Sequence, residues 1–229
     1  MHLRLEARLR YLKHRYGNVL LTVLTVLLLL MMFVLAPLQP TGIVAFQLLG
    51  LVTGILLIGI ALVVSGNSVA FSILLVAFSV NVAVVILRRL NDPAPIHLYL
   101  VASAWLILAM TLGWVVARAV FGPGRVDVHR IIGSVLLYLL IALTFSALFI
   151  FAGLSLPNAF SGLVIEDSHT LSSSLFYFSF VTLTSTGYGD IYPIHPIARS
   201  LCNVETILGQ LYPATLLARL VTLEIEDRD

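Results

Sequence analysis

Charge is scarce in this chain. Only 10% of its 229 residues are Asp, Glu, Lys or Arg, whereas soluble domains carry roughly 25%. The stretches 16–87, 93–117 and 131–165 contain none of these residues. Each is long enough for at least one apolar helix of about 20 residues, the length that crosses a hydrocarbon core about 30 Å thick. The composition excludes a soluble domain and predicts an all-α protein of a lipid bilayer, with no nucleic-acid partner.

Cysteine is nearly absent as well. Cys202 is the single cysteine of the sequence, which excludes an internal disulfide and any multi-cysteine metal site. The six histidines show no metal-ligand spacing. We therefore expect no resident metal centre.

Breaks rich in Pro, Gly and Asn divide the apolar stretches into spans. The six predicted spans are residues 19–38, 43–64, 69–87, 97–120, 131–154 and 197–221. The segment 170–184 is too short to cross, and it predicts a helix that enters the membrane and turns back. Non-helical backbone at that depth is tolerated only where it is buried in protein or lines a water-filled path.

Basic residues predict the orientation. The leader 1–18 holds five Lys or Arg, and such segments stay in the cytoplasm. Cleavage as a signal peptide is the less favoured alternative, because the following run is long and lacks a small-residue exit. Six crossings place both termini in the cytoplasm of a plasma or bacterial inner membrane, and they leave Arg88, Arg89 and Arg199 on the outer side against the rule.

A polar, glycine-rich loop follows the short helix. Residues 184–190 read Thr-Ser-Thr-Gly-Tyr-Gly-Asp. Gly187 and Gly189 can adopt positive φ angles, which a Cβ penalises. Alternating handedness along a strand aims successive carbonyls to one side, where four copies of the loop would surround an ion with stacked oxygen rings. The predicted ion-binding residues are Thr184, Ser185, Thr186, Gly187, Tyr188 and Gly189, and the hydroxyl of Ser185 adds an innermost ring.

The loop resembles the potassium-channel filter sequence Thr-Val-Gly-Tyr-Gly, and residues 172–221 resemble the pore module of that family. Residues 175–182 (Leu-Phe-Tyr-Phe-Ser-Phe-Val-Thr) resemble its aromatic pore helix, and 190–193 (Asp-Ile-Tyr-Pro) resemble its outer-mouth turn. Arg199 and Gly209 fall where bacterial two-helix potassium channels carry an arginine and a hinge glycine. The resemblance implies a K⁺-conducting homotetramer without enzymatic activity, with K⁺ at Ser185, Thr186, Gly187 and Tyr188.

The resemblance also implies a domain layout. Residues 19–120 form a four-helix transmembrane domain in the place of a voltage sensor, and 121–221 form the pore domain. The pore domain divides into an outer helix 131–154, a pore helix 170–184, a filter 185–189 and an inner helix 197–221. Four subunits, each with six transmembrane helices plus the re-entrant pore helix and filter loop, surround one central pore. Because the tail 222–229 is short, a regulatory stimulus is expected to act on the membrane part or through an unknown protein or lipid.

Two positions depart from the family pattern. Ser185 and Thr186 stand where the family usually has Thr followed by Val or Ile. Ser lacks the methyl group that restricts a Thr rotamer, and Thr186 places a hydroxyl where an apolar side chain normally packs. A weakly selective or non-selective monovalent cation channel is therefore the main alternative.

Several residues are expected to support the filter. Glu205 is the only acid within a predicted span, so it should face protein or water. It either accepts hydrogen bonds from pore-helix hydroxyls such as Thr182 or Thr184, or it forms a cavity ring that concentrates cations. Asp190 and Tyr177 are placed like the acid and aromatic residue that clamp the filter in this family, and the alternative is a solvated acid at a turn.

The inner helix contains a predicted hinge. Pro213 has no N–H for the carbonyl of Gly209, so both residues weaken the same turn. A gating hinge and a static kink are the two alternatives, and replacing both residues by Ala is expected to leave the filter untouched. Gln210 and Leu217 are predicted to line the cavity below the filter.

Other readings of the sequence receive less support. Gly187–Asp190 fits the G-x-G-D pattern of intramembrane aspartyl proteases, but these need a second aspartate, and the apolar spans contain none. A non-conducting scaffold leaves the glycine loop unexplained.

Gly50 and Gly54 form a G-x-x-x-G pair, which predicts helix packing. The fourth span lacks charge from residue 97 to 117, so we expect weak voltage dependence, because each charge moved contributes only about 2.3 kcal/mol per 100 mV.

Overall fold

The structure is a computed structural model that describes residues 19–38, 52, 54–56, 58–61, 68–90, 95–121, 128–166, 168 and 170–226. The basic leader, most of the predicted span 43–64, Gly50 and the end of the tail lie outside these residues. The side chains of Arg88, Arg89 and Leu217 also lie outside the described part.

Helices dominate the described chain. Helix α1 spans Val19–Leu38 and contains a π-helical segment at Met31–Leu35. Residues 54–56 and 58–61 are helical as well. The longer helices that follow are α2 (Ser68–Leu90), α3 (Pro95–Val120), α4 (Val128–Ser155), α5 (Leu171–Leu183) and α6 (Pro196–Glu226).

Three of the described helices, α1, α3 and α4, are long and apolar enough to cross a membrane. This finding and the helical content establish an all-α membrane protein. The short helix α5 ends where the glycine loop begins, close to its predicted bounds. Helix α6 continues to Glu226, past the predicted end at residue 221, so most of the predicted tail belongs to this helix.

One apolar core joins the first helices to α4. Its buried side chains come from α1, the 58–61 segment, α2, α3 and the first half of α4, and include Leu24, Ile58, Leu74, Val116 and Leu136. The first helices therefore pack against the outer helix of the predicted pore domain. At Gly54, an added Cβ would lie 2.5 Å from a Phe78 ring carbon, so this glycine permits close packing on α2.

Polar contacts connect α1 to the start of α4. Thr22 Oγ1 lies 2.8 Å from His129 Nδ1. Thr25 Oγ1 lies 2.8 Å from the Leu21 carbonyl oxygen of its own helix and 3.3 Å from that of Ile132. These side chains fix α1 alongside α4 in a defined register.

A second apolar core lies around α5. It combines the start of α3 with residues from the later part of α4, from α5 and from the first turns of α6, including Leu98, Phe149, Leu175, Phe178 and Cys202. The antiparallel strands β1 (Phe160–Ser161) and β2 (Tyr192–Pro193) pair the segment before α5 with the segment after the glycine loop. Both ends of the α5–loop unit are thereby tied together.

Candidate functional site

The glycine loop begins with backbone hydrogen bonds to the end of α5. Thr184 N donates to the Phe180 carbonyl at 3.0 Å, and Ser185 N donates to Thr182 O at 3.0 Å. Val181 O then accepts from Thr186 N at 2.9 Å and from Gly187 N at 3.3 Å. The first four amides of the loop are thus satisfied by the preceding helix.

Positive φ angles recur at every second residue of the loop. The angles are 58° at Ser185, 59° at Gly187 and 82° at Gly189. The two glycines adopt the conformation that the sequence predicts for them. Ser185 was not expected to do so, because a side chain at positive φ is uncommon and costs roughly 1–3 kcal/mol. All residues from 184 to 190 are exposed in the single chain.

The hydroxyl groups of the loop have partners. Thr184 Oγ1 donates to the Phe180 carbonyl at 2.6 Å and lies 2.7 Å from Thr186 Oγ1. Gln210 Nε2, on α6, donates to Ser185 Oγ at 2.8 Å. Both side chains that depart from the family pattern therefore take part in defined hydrogen bonds.

Gly209 allows α6 to approach the end of α5. A Cβ added at Gly209 would lie 1.9 Å from the Leu183 carbonyl oxygen and 2.8 Å from its carbon, which no backbone shift of a few tenths of an ångström relieves. Tyr138 of α4 donates to the same oxygen at 3.4 Å. This contact argues against the expectation that replacing Gly209 and Pro213 by Ala leaves the filter untouched, because the added Cβ would press on the residue next to the loop.

Further bonds hold α6 against α5. Thr206 Oγ1 donates to the Thr182 carbonyl at 3.3 Å, whereas the Thr182 hydroxyl donates to Phe178 O in its own helix at 2.8 Å. Thr182 thus contacts α6 through its backbone rather than its side chain. The helix–helix contact surface follows one stripe of α6, and its buried members are Ala198, Cys202, Glu205 and Gly209.

Glu205 is a buried acid between α4, α5 and α6. It has no exposed surface, and its Oε1 lies 2.5 Å from Ser179 Oγ, while Oε2 has no hydrogen-bond partner among the residues that the structure describes. The prediction that Glu205 accepts hydrogen bonds from the Thr182 or Thr184 hydroxyl is wrong, because these hydroxyls donate to Phe178 O and Phe180 O. This burial fits the hydrogen-bonded acid and does not fit a ring of acids exposed to a cavity.

Ser179 is the hydrogen-bond partner that allows Glu205 to be buried. Its Oγ lies 2.8 Å from the Ala142 carbonyl as well as beside Glu205. The single proton of this hydroxyl faces both acceptors. A neutral carboxyl avoids an unpaired buried charge at this position. Ser179 was missed in the sequence, although it lies one turn from both Leu175 and Leu183 on the buried stripe of α5.

The outer end of the loop contacts α5. The Tyr177 and Tyr188 rings stack with centroids 6.3 Å apart and planes inclined by 2°. The Tyr177 side chain also lies close enough to Asp190 for the two to interact electrostatically. A hydrogen bond between Tyr177 and Asp190 stays a prediction.

Gly162 forms a second support that the sequence did not reveal. Its φ is 76°, and an added Cβ would lie 2.0 Å from the Asp190 carbonyl oxygen. Close by, Ile194 N donates to Ala159 O at 2.9 Å, and Arg199 Nε donates to Pro193 O at 3.2 Å. No local motif marks Gly162, because its partner follows 28 residues later in the chain.

Pro213 lies within the continuous helix α6. One residue before it, Tyr212 OH donates to the Ser134 carbonyl of α4 at 2.7 Å. Two residues after it, Thr215 Oγ1 lies 2.9 Å from the carbonyl oxygens of Leu211 and Tyr212. A role of Gly209 and Pro213 in gating stays a prediction.

Residues 133–225 match the family model described as Ion channel. The matched segment runs from Gly133 in α4 through α5 and the loop almost to the end of α6. A comparison with curated proteins gave no match. The match supports passive ion conduction by a membrane protein and a role in transport rather than catalysis.

Proposed function

We propose that the chain is one subunit of a homotetrameric channel that conducts K⁺ passively. The alternating positive φ angles at Ser185, Gly187 and Gly189 carry this proposal. Residues that alternate between left- and right-handed conformations turn successive carbonyls to one side, which is the arrangement that a ring of four loops needs to replace the water shell of an ion.

The contacts of the loop also support this proposal. Its amides donate backwards to α5, so the carbonyls of Ser185, Thr186, Gly187 and Tyr188 are available to coordinate K⁺. The loop residues are exposed in one chain, which suits a surface that faces three other copies across a pore. Thr184 and Gly189 lie at the two ends of this ion path.

The proposed subunit has six membrane spans, the re-entrant α5 and cytoplasmic termini. Voltage dependence is expected to be weak, because Arg118 near the end of α3 is the only charged residue of that helix. Opening that changed tenfold within a few tens of millivolts would contradict this expectation, since such steepness requires several charges to move through the field.

A weakly selective monovalent cation channel is the second candidate. Ser185 and Thr186 favour it, because they replace the usual Thr and apolar residue. The two candidates differ in one measurable property, the ratio of K⁺ to Na⁺ permeability.

Ion flux through the purified protein in liposomes tests the proposal. The expected result is K⁺ flux with a reversal potential that separates K⁺ clearly from Na⁺. Equal permeability of the two ions would favour the second candidate. Absence of flux for both ions from assembled tetramers would reject both candidates, and Gly187→Ala, at φ 59°, is the control that should abolish flux.

A further inference from the structure

The innermost residue of the loop is held by a side chain from α6. Gln210 Nε2 donates to Ser185 Oγ at 2.8 Å. Both residues are otherwise exposed in the single chain, so the pair borders the space below the loop. This contact joins the first residue of the filter directly to the helix that would line the inner pore.

The placement of Gln210 is rigid. The preceding residue, Gly209, is seated against the Leu183 carbonyl, and Thr206, one turn earlier, donates to Thr182 O at 3.3 Å. The backbone that carries Gln210 is therefore fixed relative to the end of α5. A donor held by such contacts loses little conformational freedom when it forms its hydrogen bond.

The hydrogen bond from Gln210 restricts the χ1 rotamer of Ser185, which a serine side chain alone leaves free. A Thr side chain is restricted at χ1 by its second branch, whereas Ser has no such restriction. A serine hydroxyl has one donor and two acceptor lone pairs. When the Gln210 amide occupies one lone pair, the rotamer is defined, and the other lone pair remains for a cation.

We propose that Gln210 is a specificity-determining residue, which holds the Ser185 hydroxyl as the innermost oxygen ligand for a monovalent cation of the size of K⁺. This inference rests on the proposed conduction of K⁺. Ser185 and Gln210 together take the place of a threonine, so the departure at Ser185 is compensated from α6.

A double-mutant cycle tests the pair. Gln210→Leu keeps an uncharged side chain of comparable volume and removes its N–H donors. A neutral hydrogen bond of this kind contributes about 0.5–1.5 kcal/mol, so the K⁺/Na⁺ permeability ratio should fall by up to about tenfold. Ser185→Ala removes the acceptor without adding a branched side chain at positive φ, so it should lower the ratio by a similar factor, and the double variant should lower it little further. Reversal potentials of purified protein in planar bilayers measure all four proteins.

The control is Thr215→Val, lower on the same helix. The Thr215 hydroxyl lies 2.9 Å from carbonyls of its own helix, so its loss should leave the permeability ratio unchanged. Gln210→Met, which also lacks donors, carries the same expectation as Gln210→Leu and replaces it if that variant does not assemble.

The outcomes separate the inference from the proposed function. A parent protein that does not discriminate K⁺ from Na⁺ contradicts the proposed selectivity. If the parent discriminates and both Gln210 variants keep its ratio, the inference is overturned while the proposed function stands. Losses of Ser185→Ala and the Gln210 variants that add in the double variants also overturn it, since Gln210 would then act independently of the Ser185 hydroxyl.

Discussion

Polar side chains of α2 and α3 bond within their own helix, whereas some polar side chains of α4 to α6 bond to a neighbouring helix. In the first pair, Ser79, Asn81 and Ser103 each donate to a carbonyl four residues earlier in the same helix. In the second group, Tyr138 and Thr206 donate to backbone carbonyls of a neighbouring helix. Side chains that bond within their own helix leave its position to apolar packing, whereas side chains that bond across helices also fix its register.

This difference follows the demands on each region. An ion-binding loop has to hold its oxygens within about 0.5 Å of the productive geometry, and directional bonds to Leu183, Thr182 and Ser185 reach that precision. Helices that only pack in a bilayer need complementary shapes. Substitutions should therefore disturb function more in α5 and α6 than in α2 and α3.

Gly209→Ala should have the largest effect on K⁺ flux. Its Cβ would overlap the Leu183 carbonyl, and overpacking costs about 1–3 kcal/mol or more. We expect K⁺ flux to be abolished and the tetramer to melt at a lower temperature. Gly113→Ala in α3 is the matched control, because no described atom outside its own helix backbone lies within 4 Å of its added Cβ; it should conduct like the parent.

A Gly209→Ala tetramer with the flux of the parent would contradict the role of this close contact. Pro213→Ala then tests the predicted hinge separately, because Pro213 is exposed and lies one turn further along α6. Its expected effect is a change in open probability without a change in selectivity.

Glu205→Ala should have the second largest effect on K⁺ flux. It removes a fully buried side chain and leaves Ser179 with one partner fewer, and such losses typically cost about 2–5 kcal/mol. Glu205→Gln retains the size and can donate to Ser179 Oγ, so we expect near-normal thermal stability and flux. If Glu205→Gln failed as severely as Glu205→Ala, the buried acid would have to be ionised.

The backbone conformation of the glycine loop was largely predictable from the sequence, and most of its supports were not. The glycine spacing predicts the positive φ angles of Gly187 and Gly189, because positive φ is a local property of a residue without Cβ. The family resemblance implies a contact between Tyr177 and Asp190, and the hydrogen bond between them stays a prediction. Gly162 and the partner of Glu205 depend on segments far apart in the chain, and no local pattern encodes such an approach. The positive φ of Ser185 opposes its own preference and is imposed by its neighbours.

Tyr177→Phe should have a smaller effect. It removes the hydroxyl that is predicted to bond Asp190 but keeps the ring that stacks on Tyr188. The permeability ratio should fall by less than about tenfold, since the contact lies at an exposed position where water competes for the bond. Asp190→Asn measures the same contact from the other side, and an effect of only one of the two variants would argue against a shared bond.

The smallest effects distinguish the two regions most directly. Thr206→Val deletes a hydroxyl that bonds across helices, and Ser103→Ala deletes one that bonds within α3. We expect a measurable loss of tetramer stability for Thr206→Val, about 1 kcal/mol, and less than about 0.5 kcal/mol for Ser103→Ala. Equal losses for the two variants would remove the distinction between the regions.

The contact between α1 and α4 has a consequence for biosynthesis. His129 follows Thr22 by 107 residues, so at about 5–20 residues per second the ribosome needs about 5 to 20 s to supply this partner. During that time the Thr25 hydroxyl already has a hydrogen-bond acceptor, because it donates to the Leu21 carbonyl one turn earlier in its own helix. Helix α1 can thus enter the bilayer alone with that hydroxyl satisfied, and it docks on α4 only when that helix has been made.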